Sequence, residues 1–150
     1  MKTKKISQKA RTALANGRIK EATAILGNYY TLRGTVVEGR KLGRTLGFPT
    51  ANIKTSEKSP LFLMNGVYAV LVRHKEKEYK GMLNIGIRPT FEQHELSIEV
   101  NLFDFSDNLY GEELTLLFVD RIRDEAKFPN VEALKHQLEL DKQKILDLLS

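Results

Sequence analysis

Cysteine is absent from the 150 residues, which excludes a disulfide framework, a thiolate metal site and a thiol nucleophile. Long apolar runs are missing too: the clearest, residues 67–72 and 114–119, are strand-length and far too short to span a bilayer. The lysine-rich start has no apolar stretch behind it, so it does not read as a secretory signal. The expectation is a soluble, cytoplasmic protein without a membrane partner. Histidine is scarce, and His74, His94 and His136 lack metal-ligand spacing, which argues against zinc. No Gly-x-Ser-x-Gly elbow is present, and neither the protein-kinase catalytic loop nor its Asp-Phe-Gly signature occurs. Residues 39–45 resemble a P-loop only superficially, being one residue short with arginine in place of lysine. Any phosphoryl transfer must therefore use a different scaffold.

Charge is present but unevenly spread. The net charge is +5, which by itself invites a nucleic-acid reading. Residues 1–28 hold seven Lys/Arg against one acidic residue, whereas the remaining residues hold 17 Lys/Arg against 18 Asp/Glu. The excess sits in the leader and the body is neutral, so a basic groove along the body, and with it nucleic acid as a partner, is not expected.

One domain fits this length. Residues 6–27 read as two short helices: Ser7 caps the first, Asn16-Gly17 breaks it, and Gly27 ends a second over about Ile19 to Leu26. Each is too short and too weakly amphipathic to build a core alone, so a linker or the remnant of a neighbouring domain is expected over 1–28. From Tyr30 the texture turns to strands, over residues 31–37, 66–73, 79–85, 96–103 and 114–122, with 75–78 as a hairpin tip. A helix of about twenty residues begins at Asn130 and carries Val131, Leu134, Leu138, Ile145 and Leu149 on one stripe. Antiparallel strands closed by a final helix predict an all-β barrel or sandwich over 29–150.

Against this background, residues 43–52 (Gly-Arg-Thr-Leu-Gly-Phe-Pro-Thr-Ala-Asn) are the most informative stretch, with Gly39 four positions upstream. Glycines let the backbone approach a ligand closely. In an extended segment Thr50 and Asn52 would point to one side, and a hydroxyl with a carboxamide suits a hard cation such as Mg²⁺ held jointly with phosphates. The plain alternative is a glycine-rich turn entering a strand. Glu99 lies on the strand face opposite Leu96, Ile98, Val100 and Leu102, together with Ser97, Asn101 and Phe103. It is either a solvated residue or a placed base of the kind that activates a hydroxyl for phosphoryl transfer. Arg88 in the 84–90 loop is either a phosphate contact or solvated. Arg121, Arg123, Asp124, Glu125 and Phe128 form either a charged loop or the lining of a pocket for a flat polar ligand.

Taken in order, these segments resemble the riboflavin kinase (flavokinase) family. The Gly-Arg-x-Leu-Gly-Phe-Pro-Thr-Ala-Asn run is joined by Asn65-Gly66-Val67-Tyr68-Ala69 and by Asn84-Ile85-Gly86-Ile87-Arg88-Pro89-Thr90-Phe91. Glu99-Val100-Asn101-Leu102 with Leu109-Tyr110-Gly111, and Ile122-Arg123-Asp124-Glu125 with Phe128, complete the set. The resemblance runs from about Tyr30 to the C-terminus. It implies a six-stranded antiparallel Greek-key barrel with a closing helix, and conversion of riboflavin to FMN by ATP. It further implies that Thr50 and Asn52 hold Mg²⁺, with Thr50 also at the phosphates, and that Gly39, Gly43 and Arg44 lie at ATP. Glu99 would be the catalytic base, and Arg123, Glu125 and Phe128 would lie at the flavin. The Gly-x-Phe-Asp-Gly-x-His-x-Gly-His site of the adenylyltransferase often fused ahead of this kinase does not occur. The leader resembles only the tail of that domain, so FAD synthesis is not expected of this chain, which is either a piece of a longer parent carrying an adenylyltransferase domain or a naturally short protein.

Overall fold

The computed structural model describes residues 6–37, 49–55, 62–89, 94–105 and 107–150. Two helices, α1 (Gln8–Ala15) and α2 (Ile19–Leu26), precede six strands: β1 (Tyr30–Val37), β2 (Ala51–Lys54), β3 (Gly66–His74), β4 (Lys77–Pro89), β5 (His94–Leu102) and β6 (Glu113–Arg123). A last helix, α3 (Val131–Leu149), follows. The strands close into a barrel in the order β1-β2-β5-β4-β3-β6, every pairing antiparallel. Strands β3, β4 and β5 run consecutively and β6 returns beside β3, which is the Greek-key arrangement.

Alternation decides which side chains face inward. On β1, Leu32 and Val36 are buried while Thr31, Arg33 and Thr35 are exposed. The barrel interior is filled by residues such as Val70, Leu83, Ile85, Val100, Leu116 and Phe118. The outer faces of β3 and β4 carry Val67, Ala69 and Met82, which form a second cluster with Phe103 and Ile145 of α3. Helix α3 therefore lies on the outside of the barrel and covers only part of it.

The sequence reading captured five of the six strands by pattern. The sixth, β2, has only four residues and lies inside the Pro-Thr-Ala-Asn run, where the glycine- and proline-rich texture reads as a loop. Val131, expected on the buried stripe of α3, is 54% exposed because it sits in the first turn, beyond the barrel surface. Asn130 caps that turn by accepting from the Ala133 amide at 2.8 Å.

The leader is more deeply integrated than its short helices suggest. Ser7 caps α1 by accepting from the Ala10 amide, and Gly27 ends α2 in the left-handed region at φ 83°. Ala13, Leu14, Ile19 and Ala22 belong to the same cluster as the barrel interior. The helices thus borrow the barrel's core instead of building their own. Leu14→Ala is accordingly expected to cost about 2–5 kcal/mol, the range for a fully buried leucine. Thermal or denaturant unfolding checks this, and a change below about 0.5 kcal/mol would show the leader to be merely appended.

Candidate functional site

One ring of register partners runs across the barrel and collects most of the residues singled out from sequence. Val37 of β1 pairs with Asn52 of β2, and Asn52 with Glu99 of β5. Glu99 pairs on its other side with Asn84 of β4, Asn84 with Val67 of β3, and Val67 with Arg123 of β6. Directly opposed residues in an antiparallel ladder share a face. Val67 belongs to the outer cluster, so Asn52, Glu99 and Asn84 lie on the outside of the barrel. Their neighbours Ile53, Val100 and Leu83 point inward and fix that orientation.

The centre of the site is thus a carboxamide, a carboxylate and a carboxamide abreast on three adjacent strands, with Cα atoms about 5 Å apart. Asn52 is 9% exposed, and Glu99 and Asn84 are half-buried. These three polar side chains lie next to the apolar outer patch of Val67, Ala69 and Met82.

The approach to β2 is pinned by a residue that the sequence placed on the right face without a role. Asn101, 6% exposed, donates from Nδ2 to the Pro49 carbonyl at 2.7 Å. This holds the backbone just ahead of Thr50 against β5, two residues along from Glu99. Thr50 itself is half-buried. The Thr50 hydroxyl and the Asn52 carboxamide are oxygen donors of the kind a hard cation takes when substrate phosphates supply the rest of its shell. These two donors therefore fit a hard divalent cation. Gly39, Gly43 and Arg44 lie outside the described residues, as do Thr90, Phe91 and the side chain of Arg88.

On the other flank, the segment 124–130 connects β6 to α3 and turns back over β4. A Cβ built on Gly86 would lie 2.6 Å from Oε2 of Glu125, so the glutamate side chain rests directly on that glycine. Gly86 is opposite Ser97 and two residues from Asn84, on the same face. The sequence-predicted Glu99 and Glu125 are in this way brought to one surface.

Arg123 is engaged differently from the expectation of a group aimed at a ligand. Its Nε lies 3.0 and 2.9 Å from the two carboxylate oxygens of Asp141, and its Nη2 is 2.8 Å from Oδ2. Its Nη1 donates to the Asp124 carbonyl at 2.9 Å, and its guanidinium stands 5.7 Å from the Phe128 ring centroid. Arg121 donates to the Asn65 carbonyl and to the Asp124 carboxylate, the latter at 2.6 Å. Asp141 itself had no place in the sequence reading. It occupies the stripe position between Leu138 and Ile145, and an acidic residue at that spacing was the available signal.

Two groups away from this surface have displaced protonation equilibria. Burial pushes the Tyr68 hydroxyl up against the opposing pull of nearby Arg121, and that hydroxyl donates to the Met64 carbonyl. At the far hairpin, the hydrogen bond from His74 and then the charge of Lys75 hold the Glu112 carboxyl below its ordinary value.

Several known proteins are similar to this chain. The family model described as "Flavokinase: Riboflavin kinase" matches residues 26–149. A bifunctional riboflavin kinase/FMN adenylyltransferase of Bacillus subtilis is 43% identical over 98% of this chain, which covers 48% of that protein. The RNA-binding riboflavin kinase RibR of the same organism is 40% identical over 73% of the chain, covering 47% of that protein. The chain spans about half the length of the curated relatives it matches. Among solved structures, one described as a macrolide-efflux protein from Streptococcus pneumoniae superposes with a TM-score of 0.84 at 39% identity. The match takes in 93% of this chain and 46% of that one. Riboflavin kinase from Trypanosoma brucei superposes with a TM-score of 0.59 at 26% identity, over 79% of this chain and 78% of that one. Among the described residues no helix is long and apolar enough to cross a membrane.

Proposed function

The chain belongs to the riboflavin kinase family, and from that premise we propose that it transfers the γ-phosphoryl group of ATP to the ribityl 5′-hydroxyl of riboflavin, giving FMN and ADP. The observation that carries this reading is the row Asn52–Glu99–Asn84 on the outer face of the barrel, with Glu125 closing over Gly86 beside it.

In this reading Glu99 is the general base. It accepts the hydroxyl proton as the oxygen bonds to phosphorus and the bond to the ADP oxygen breaks, so no positive charge builds up on the new bridging oxygen. Asn52 and Asn84 flank it and fix where the hydroxyl can sit, which supplies the orientation on which phosphoryl transfer largely depends. Thr50 and Asn52 would hold Mg²⁺, with Thr50 also at the phosphates. The bound ion would neutralise charge on the transferring group. Asn101 keeps those residues in register with Glu99 through the Pro49 carbonyl. Gly39, Gly43 and Arg44 are assigned to ATP, and Arg123, Glu125 and Phe128 to the flavin side. Three inter-strand spacings, roughly 14 Å, separate Arg123 from Glu99 along the ring.

Only the kinase step is assigned to this chain, in residues 29–150. The adenylyltransferase named in the bifunctional relative would belong to other residues of a longer parent, joined through the leader 1–28. The RNA binding in the name of RibR is not extended to this chain, because its body carries near-balanced charge.

The metal assignment is tested by Thr50→Ala, which should weaken Mg·ATP binding about tenfold, the loss of one good polar contact, while riboflavin binding persists. A calorimetric titration with unchanged Mg·ATP affinity would remove Thr50 from the site. Gly86→Ala tests the flavin side. The added methyl collides only with the mobile end of Glu125, so stability should change by less than about 1 kcal/mol. The displaced carboxylate should nevertheless raise KM for riboflavin several-fold without altering KM for ATP. Equal effects on both substrates would dissociate Glu125 from flavin recognition.

A further inference from the structure

We propose that Asp141 is a positioning residue for riboflavin: acting through Arg123, it fixes the 124–128 segment over the outer face of β4. The inference rests on the flavin reading of that segment, and nothing in the motifs or the family match assigns a role to α3.

A lone carboxylate in apolar surroundings is costly, and a hydrocarbon side chain would serve packing as well or better. Asp141 is 2% exposed and lies one turn from Ile145 and Leu138, both packed in the outer cluster. Its two oxygens are fully engaged, by Arg123 in a fork and by Gln137 Nε2 at 2.8 Å to Oδ1. A forked contact sets the plane of a guanidinium as well as its place. That plane then carries the segment. Nη1 of the guanidinium holds the Asp124 carbonyl, and its central carbon stands over the Phe128 ring.

The opposite side of Asp124 is secured by Arg121 through its carboxylate, and the far end of the segment is secured by the Asn130 cap. Glu125 lies between these anchors, and its position on Gly86 is where they aim it. Without the charge on Asp141, Arg123 would keep its covalent place but lose its orientation. Phe128 and Glu125 would then be released together from the flavin side. The phosphate side, held by Asn101 on β5 and by β2, would be untouched.

The experiment compares wild type, Asp141→Asn and Gln137→Leu as full chains, at a temperature where circular dichroism shows each folded. Riboflavin affinity is read by quenching of flavin fluorescence, and KM values for riboflavin and ATP by FMN formation. Asp141→Asn should weaken riboflavin binding and raise its KM about tenfold or more, the scale of a mispositioned site, with KM for ATP within about twofold. Gln137→Leu removes only the second donor and should shift riboflavin in the same direction by about threefold, which keeps the test open if Asp141→Asn does not fold. A lowered melting temperature with riboflavin affinity unchanged in either folded variant would overturn the proposal and leave a structural ion pair. A wild type that binds no riboflavin would instead overturn the functional reading, and this inference with it.

Discussion

Glu99→Gln is expected to lower turnover by roughly 10²–10⁴, the weight of one positioned general base, while Mg·ATP and riboflavin still bind. Glutamine keeps the size and hydrogen-bonding capacity of the side chain between Asn52 and Asn84, so the ladder around it should persist. What it removes is the ability to take a proton. Stability should therefore change little, and the loss should appear in kcat with both KM values nearly constant. Single-turnover measurement of FMN formation separates this from an effect on product release. A variant with near-normal turnover would take Glu99 out of the chemistry and leave it a structural member of the row.

The second large effect concerns stability. Arg123→Met should cost about 3–5 kcal/mol, because it strands the Asp141 carboxylate in the outer core without its cation. The two partners differ in burial: the Asp141 side chain is 2% exposed and that of Arg123 is 21%. Asp141→Leu should therefore be milder, since an unpaired Arg123 can turn its guanidinium toward water. The double variant Arg123→Met/Asp141→Leu should recover most of the loss, as replacement of a buried pair by apolar groups usually does. Denaturant unfolding of the two single variants and the double variant checks the ordering. Additive losses in the double variant would show that the pair is not coupled as described.

The parts of this fold that were legible in the sequence are those governed by short-range rules. Alternation in β5 placed Glu99 opposite Ile98 and Val100, and the structure keeps that division of faces. Ser7, Gly27 and Asn130 marked helix ends through capping chemistry that acts within four residues. Strand β2 escaped pattern reading because four residues carry too little periodicity, and its strand character comes from pairing with β1 and β5 far away in sequence. Integration of the leader was likewise invisible: Leu14 and Ile19 look like isolated apolar residues until the barrel end supplies their neighbours.

The candidate site divides along the same line. Residue types and spacing singled out Thr50, Asn52 and Glu99 without deciding their roles, which only the family resemblance implied, and register brings Asn52 and Glu99 side by side. Their shared ring with Asn84 and Arg123 depends on strand order, which no local pattern encodes. Arg123 stood out in the sequence as one cation of a charged cluster but not as the partner of a buried carboxylate 18 residues later. Asn101 shared the face of Glu99, yet its reach to the Pro49 carbonyl requires β2 to fold back on β5.

The central claim, an ATP-dependent riboflavin kinase built on this barrel face, is tested most directly by incubating the purified chain with riboflavin, ATP and Mg²⁺. FMN, FAD and ADP are then followed together by chromatography. The account predicts FMN and ADP in equal amounts, with no FAD. Riboflavin that binds but yields neither FMN nor ADP, across a range of divalent metals and nucleotide donors, would contradict it and make the barrel a flavin-binding module.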